Sequence, residues 1–154
     1  MSKYFIGADH AGIEIKKFVK KLFETNGHEV EDLGPFNTDR VDYPDFAKKV
    51  CEAVLKNQDT KGILICGTGL GMSMSANKFN GIRAALCHNV FSASMAREHN
   101  DANVLCLGGR VSDYDMIESI VDAWNLAKFQ GGRHNTRIEK LNNLSKVQSC
   151  QIIK

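Results

Sequence analysis

The run Gly62-Ile63-Leu64-Ile65-Cys66 passes without a break into Gly67-Thr68-Gly69-Leu70-Gly71, and few architectures accept that junction. A continuous apolar run suits a strand covered on both faces, the situation of a central strand in a parallel sheet. Glycines at alternate positions then allow a tight turn whose backbone N–H groups converge at the start of a helix. The junction therefore predicts a strand–turn–helix unit in the middle of an α/β sheet.

The rest of the chain repeats that grammar. Short β-type runs alternate with longer segments of helical spacing, which is the signature of βα units around a parallel sheet. Tyr4-Phe5-Ile6 opens the first strand, and Ile15, Phe18, Val19, Leu22 and Phe23 form a helical stripe that Asn26-Gly27 closes. A second strand spans Glu29 to Leu33, and a helix begins at Pro44, where proline suits the first turn. The fourth and fifth strands fall near Arg83 to Cys87 and Val104 to Leu107, with a helix from Phe91 to Glu98 between them. Met116, Ile117, Ile120, Val121 and Trp124 stripe the next helix, with Ser112 and Asp115 at capping-box spacing. Gly131-Gly132 precedes a last helix, and Ser145 to Lys154 reads as a tail or arm. The expectation is one α/β domain over residues 1–148, a five-stranded parallel sheet between helical layers, with 149–154 as a C-terminal tail.

Composition narrows the partners. The 154 residues are 43% hydrophobic and 25% charged, enough to bury a core, and the formal net charge is only +2. With no basic block, neither a nucleic acid nor a membrane surface is expected as partner, and the natural ligand is a small molecule. No apolar stretch approaches the ~20 residues of a membrane span and no signal-peptide pattern opens the chain, so a cytoplasmic location is expected. Five cysteines without a C-x-x-C pair predict free thiols, with no disulfide framework or zinc ribbon.

In an open parallel sheet the ligand crevice lies at the carboxyl ends of the strands, where strand order reverses. That rule nominates Gly7 to Gly12 after the first strand, Cys66 to Gly71 after the third and Gly108-Gly109-Arg110 after the fifth. Taken alone, the glycines could simply pack helix against strand, and Cys66 could be a structural thiol. Position favours chemistry: beside a helix N-terminus a thiol is pulled below its free pKa of about 8.5, toward the thiolate that serves as nucleophile or base. Asp9-His10 offers a carboxylate and an imidazole, suited to proton transfer or to anchoring hydroxyls and phosphate; an N-cap aspartate with a solvated neighbour is the alternative. His99-Asn100 closes a helix, and its role is not decided by local pattern. Arg133 and Arg137, four apart with His134 between them, can clamp a dianion or form a solvated basic face. A thiolate metal site joining Cys66, Cys87, Cys106 and His88 lacks any short ligand spacing.

Together, G-A-D-H-A-G, D-Y-P at 42–44, C-G-T-G-L-G, A-N-K at 76–78, E-H-N-D at 98–101 and G-G-R-H-N-T-R at 131–137 resemble the ribose-5-phosphate isomerase B family over some 130 residues. The resemblance implies a three-layer α/β/α sandwich with a Rossmann-like sheet, a homodimer or higher homo-oligomer with sites at the interface, no metal and no organic cofactor. It implies a phosphosugar substrate and aldose–ketose isomerisation between ribose 5-phosphate and ribulose 5-phosphate, a step of the pentose phosphate pathway. By the same resemblance Cys66 is the base, Thr68 and the amides of Gly67, Gly69 and Gly71 hold the enediolate, and His99 with Asp9 opens the sugar ring. His10, Arg133 and Arg137 bind phosphate, Asn100 and Arg110 join from a partner subunit, and Tyr43 lines the pocket. A branch of the family carries a glutamate base slightly further along; here Met72-Ser73-Met74 cannot abstract a proton, so the cysteine branch fits. Allose 6-phosphate and galactose 6-phosphate remain alternative substrates. A nucleotide-binding domain lacks the acidic ribose ligand expected about 20 residues past the glycine loop; a catalytically silent phosphosugar sensor would not need Cys66.

Overall fold

A computed structural model describes residues 1–148. Five parallel strands, β1 (Lys3–Ala8), β2 (Glu29–Asp32), β3 (Lys61–Cys66), β4 (Ala84–Leu86) and β5 (Val104–Gly108), lie in the order β2-β1-β3-β5-β4. Six helices connect or follow them: α1 (Ile13–Thr25), α2 (Tyr43–Lys56), α3 (Leu70–Ala76), α4 (Val90–Glu98), α5 (Tyr114–Leu126) and α6 (Arg133–Gln148). The expected α/β/α sandwich with a five-stranded parallel sheet is the observed fold.

Side chains alternate between two cores, as the strand period demands. Ile63 and Ile65 of β3 join Ile6, Leu105 and Leu107 against α1, α4 and α5. Leu64 and Cys66 face the other way, with Phe5, Val104 and Cys106 against α2 and α3. Strand β3 is buried from Gly62 to Cys66, which is why its sequence shows no polar alternation. The chain runs outward from β1 to β2, returns to β3 on the other side of β1, and then leaves for β4 and β5. The reversal therefore falls between β1 and β3, whose carboxyl ends carry Asp9-His10 and Cys66.

Helix boundaries follow local chemistry. Asn26-Gly27 ends α1 as expected: Gly27 takes φ 81°, its N–H reaches the Glu24 carbonyl, and the His28 N–H reaches that of Phe23. Two expectations are corrected. Asp113, not Ser112, caps α5, because its carboxylate accepts the Met116 N–H at 2.8 Å; Met116 faces solvent while Ala123 takes a place in the buried stripe. The final helix also continues through Ser145 to Gln148, where a tail was expected. Residues 149–154, including Cys150, lie outside the described residues. No helix among the described residues is long and apolar enough to cross a membrane.

Candidate active site

The crevice at the β1/β3 reversal is built mainly of backbone. Gly69 stands at φ 76°, and a Cβ there would lie 2.4 Å from Leu86 Cδ1 and 2.9 Å from the Leu107 carbonyl carbon, so no other residue fits. This turn folds the chain back so that the Gly69 N–H points at Cys66 Sγ, 3.1 Å away. A backbone donor aimed at sulfur stabilises negative charge there. The Leu70 N–H donates to Thr68 Oγ1 at 3.3 Å, so the hydroxyl accepts here and its own proton is not used in that bond.

Cys66 accepts a backbone N–H, while the other described thiols are packing residues of the two cores. Burial pushes Cys51 up to about 12 and Cys87 up to about 11, and burial raises Cys106 well above the ordinary thiol value. Those three are inert packing residues. Among the described residues, no group of three or more His, Cys, Asp or Glu side chains lies close enough to hold a metal ion.

The turn after β1 supplies the facing wall. Asp9 is buried, and its Oδ1 accepts the Ala11 N–H at 2.9 Å, so the capping reading of this aspartate is realised. His10 Nδ1 lies 3.2 Å from the Val41 carbonyl oxygen and 3.3 Å from the Val41 nitrogen. An unprotonated Nδ1 accepts the N–H and a protonated one donates to the carbonyl, so the ring keeps its seat in either state. Local pattern did not reveal this backbone partner or the anchor behind it. Lys16, 2% exposed, is ion-paired with Asp32 at 2.7 Å and donates to the Pro35 carbonyl at 2.6 Å, tying down the start of the loop that reaches Val41.

Tyr43 opens α2 and lays its ring against Gly71, where a Cβ would come within 2.7 Å of ring carbons. Arg110 was expected from a partner subunit, yet its side chain packs on Gly67 of its own chain: Cδ and Nη1 stand 3.4 Å from the position a Gly67 Cβ would occupy. The Arg110 N–H also donates to the Gly67 carbonyl. Asp9, His10, Tyr43, Cys66, Thr68, the three glycines and Arg110 thus gather at one end of the sheet.

His99, Asn100, Arg133 and Arg137 form a second cluster at the opposite end. Helix α4 runs antiparallel to the strands, so the turn that follows it leads into the start of β5. Gly108, at the far end of β5, is the residue in register with Cys66. Four residue steps from Val104 to Gly108 at ~3.3 Å each separate the two ends by ~13 Å, so Asp9 and His99 do not meet within one chain. The turn is rigidly held. Arg97 binds the Asp101 carboxylate at 3.0 Å and the Ala102 carbonyl at 2.6 Å, and Arg83 donates to the Asn100 and Asp101 carbonyls. The Gln130 side chain and N–H clasp Glu98, and His134 at the start of α6 stacks on His99. Arg133 and Arg137 are exposed beside that stack. Burial foremost, then the charges of His99, Arg133 and Arg137, lowers the pKa of His134.

A thiol with an aimed N–H, a glycine turn rich in donors and a carboxylate–imidazole pair, all at the switch point of a parallel sheet, define a class: α/β enzymes that move protons on small anionic substrates. Residues 4–141 match the ribose/galactose isomerase family. The chain is 45% identical over 141 residues to ribose-5-phosphate isomerase B of Escherichia coli, covering 92% of this chain and 95% of that protein. It is 49% identical over 140 residues to the probable ribose-5-phosphate isomerase B of Mycoplasma genitalium, covering 89% and 91%. Among solved structures, ribose-5-phosphate isomerase B of Clostridium thermocellum superposes with a TM-score of 0.92 at 50% identity, covering 95% of this chain and 99% of that one. The Mycoplasma genitalium enzyme, solved with bound ribulose-5-phosphate, gives 0.90 at 44% identity over 94% and 96% of the two chains. The chain belongs to the ribose/galactose isomerase family.

Proposed function

We propose that this protein is an aldose–ketose isomerase interconverting ribose 5-phosphate and ribulose 5-phosphate, a cytoplasmic enzyme of the pentose phosphate pathway whose residues 1–148 act as one domain. The observation that carries the reading is the Cys66 thiol held under the Gly69 N–H within a donor-rich turn, in a chain so similar to enzymes of that activity.

The reaction needs three things. A base takes the weakly acidic C2 proton of the open aldose, fixed donors hold the enediolate, and the proton returns at C1. Cys66 fills the first role as thiolate and carries the proton, with no covalent sugar intermediate. The Thr68 hydroxyl and the amides of Gly67, Thr68 and Gly71 fill the second, the Gly69 and Leu70 N–H groups being directed at Cys66 and Thr68 instead. His99 and Asp9 open the furanose ring. His10, Arg110, Arg133 and Arg137 bind the phosphate, Asn100 the sugar hydroxyls, and Tyr43 closes the side of the pocket. The phosphate clamp directs remote binding energy to positioning the reacting carbons.

These assignments need two chains. One chain carries the two clusters at opposite sheet ends, and a twofold pair brings the His99 cluster of one subunit over the Cys66 crevice of the other, twice. Exposed Leu70, Met74 and Phe91, with Leu141 and Leu144 on α6, supply apolar surface for that contact. A panel of ribose 5-phosphate, allose 6-phosphate and galactose 6-phosphate tests the reading: turnover of the pentose phosphate is expected, and no turnover of any of the three refutes isomerisation.

A further inference from the structure

We infer that His134 is a positioning residue for His99: its imidazole lies flat against that of His99 and fixes the plane in which His99 presents its nitrogens to the sugar. The inference rests on the isomerase reading and on the role of His99 in ring opening.

The two rings stack with centroids 4.3 Å apart and planes 14° from parallel. His134 is the inner member, 4% exposed, while His99 is only half-buried. The chain is built to deliver that ring. Gly131 and Gly132 take φ 64° and 57°, and their carbonyls accept the N–H groups of His134 and Asn135, turning the backbone so that α6 starts over His99. Just ahead, the Gln130 N–H donates to the Glu98 carbonyl at 3.0 Å and its side chain to the Glu98 carboxylate at 2.7 Å. Residues 130–134 therefore grip 98–99 at two points. His134 is also the one buried residue of the first two turns of α6.

A ring-opening histidine needs such a restraint. The outer torsion of a histidine side chain is broad and roughly twofold, so rotamer preference alone does not fix the ring plane. Opening a furanose requires a proton delivered to the ring oxygen as the anomeric hydroxyl loses its own, and a tilted ring misses one of those atoms. Burial foremost, then His99 and the two arginines, lower the pKa of His134, which favours its neutral form.

The two directions of the reaction separate this role from phosphate binding and from the proton shuttle. Ribose 5-phosphate is a furanose that must be opened. Ribulose 5-phosphate, with its C5 oxygen esterified, has no hydroxyl placed for furanose closure and arrives open. Both carry the same phosphate. In D2O, turnover of the aldose and deuterium exchange into C1 of the ketose are measured for wild type, His134→Ala and His134→Phe. His134→Ala should lose roughly tenfold or more in aldose turnover while ketose exchange stays within about twofold of wild type. His134→Phe, which keeps a flat ring, should recover most of the loss. Gln130→Ala, which removes one partly exposed clasp, should show the same split to a smaller degree. Equal loss in both assays, no loss in either, or a Phe variant no better than Ala overturns the inference while leaving the isomerase reading intact. A wild-type protein that exchanges nothing overturns both.

Discussion

Two inactive variants should repair one another. Cys66 and His99 stand at opposite ends of the sheet, ~13 Å apart along β5 alone, whereas proton transfer needs groups within ~3 Å of the atoms they serve. In the proposed twofold pair, each crevice would take Cys66 from one chain and His99 from the other. Homodimers of Cys66→Ser lack the base in both crevices and homodimers of His99→Asn lack the ring-opening group in both, so each should fall to about a hundredth of wild-type turnover on ribose 5-phosphate or below. In a heterodimer of the two, one crevice collects both lesions and the other collects none. Differently tagged variants, co-expressed and purified through both tags, should therefore show about half of wild-type kcat per dimer with an unchanged KM. Turnover of the heterodimer no higher than that of the two homodimers would refute the shared site, because it would mean that both groups act from one chain.

Three further outcomes follow from the geometry. Thr68→Ala removes the hydroxyl assigned to the enediolate and should lower kcat by about a hundredfold to a thousandfold, with the far-ultraviolet spectrum unchanged; a loss under tenfold removes the hydroxyl from enediolate stabilisation. Lys16→Met leaves the largely buried Asp32 carboxylate without its cation and should cost about 3 kcal/mol in urea unfolding, since Asp32 keeps some solvent contact; a cost under about 1 kcal/mol would show that the anchor does not hold the loop to Val41. Burial lowers the pKa of both His28 and His134, so the unfolded chain binds protons first as pH falls. Their stabilising contribution is complete above about pH 6.5 and is lost as pH drops through the lower folded values. The Tm of the wild type should decline over that interval, and the decline should be shallower in His28→Asn.

Much of this was legible because the alternating βα grammar is local. An unbroken apolar β3 announces a central strand, Asn26-Gly27 announces a helix end, and the alternating glycines after Cys66 announce a turn that only glycine can make. The failures were of two kinds. Where two candidates for one local role stood side by side, pattern chose wrongly: Ser112 satisfied the capping-box spacing, but Asp113 has the extended backbone that aims its carboxylate at Met116. Where the role depended on which end of the sheet a segment occupies, residue type was silent. Nothing in the residues at 98–101 and 131–137 themselves says that they lie at the opposite end of the sheet from Cys66; that follows from α4 running back to the start of β5. For the same reason Arg110 could be recognised as a ligand-binding type of residue, while its place against Gly67 of its own chain required the fold.

The account stands on Cys66 as the group that carries the proton. Wild-type protein incubated in D2O with ribose 5-phosphate should give ribulose 5-phosphate with deuterium at C1, and it should exchange the same position when started from the ketose. Cys66→Ser should bind the phosphosugar with near-wild-type affinity by calorimetry, yet incorporate no deuterium from either side. Exchange at the wild-type rate in that variant would contradict the central claim, since some other residue would then be the base.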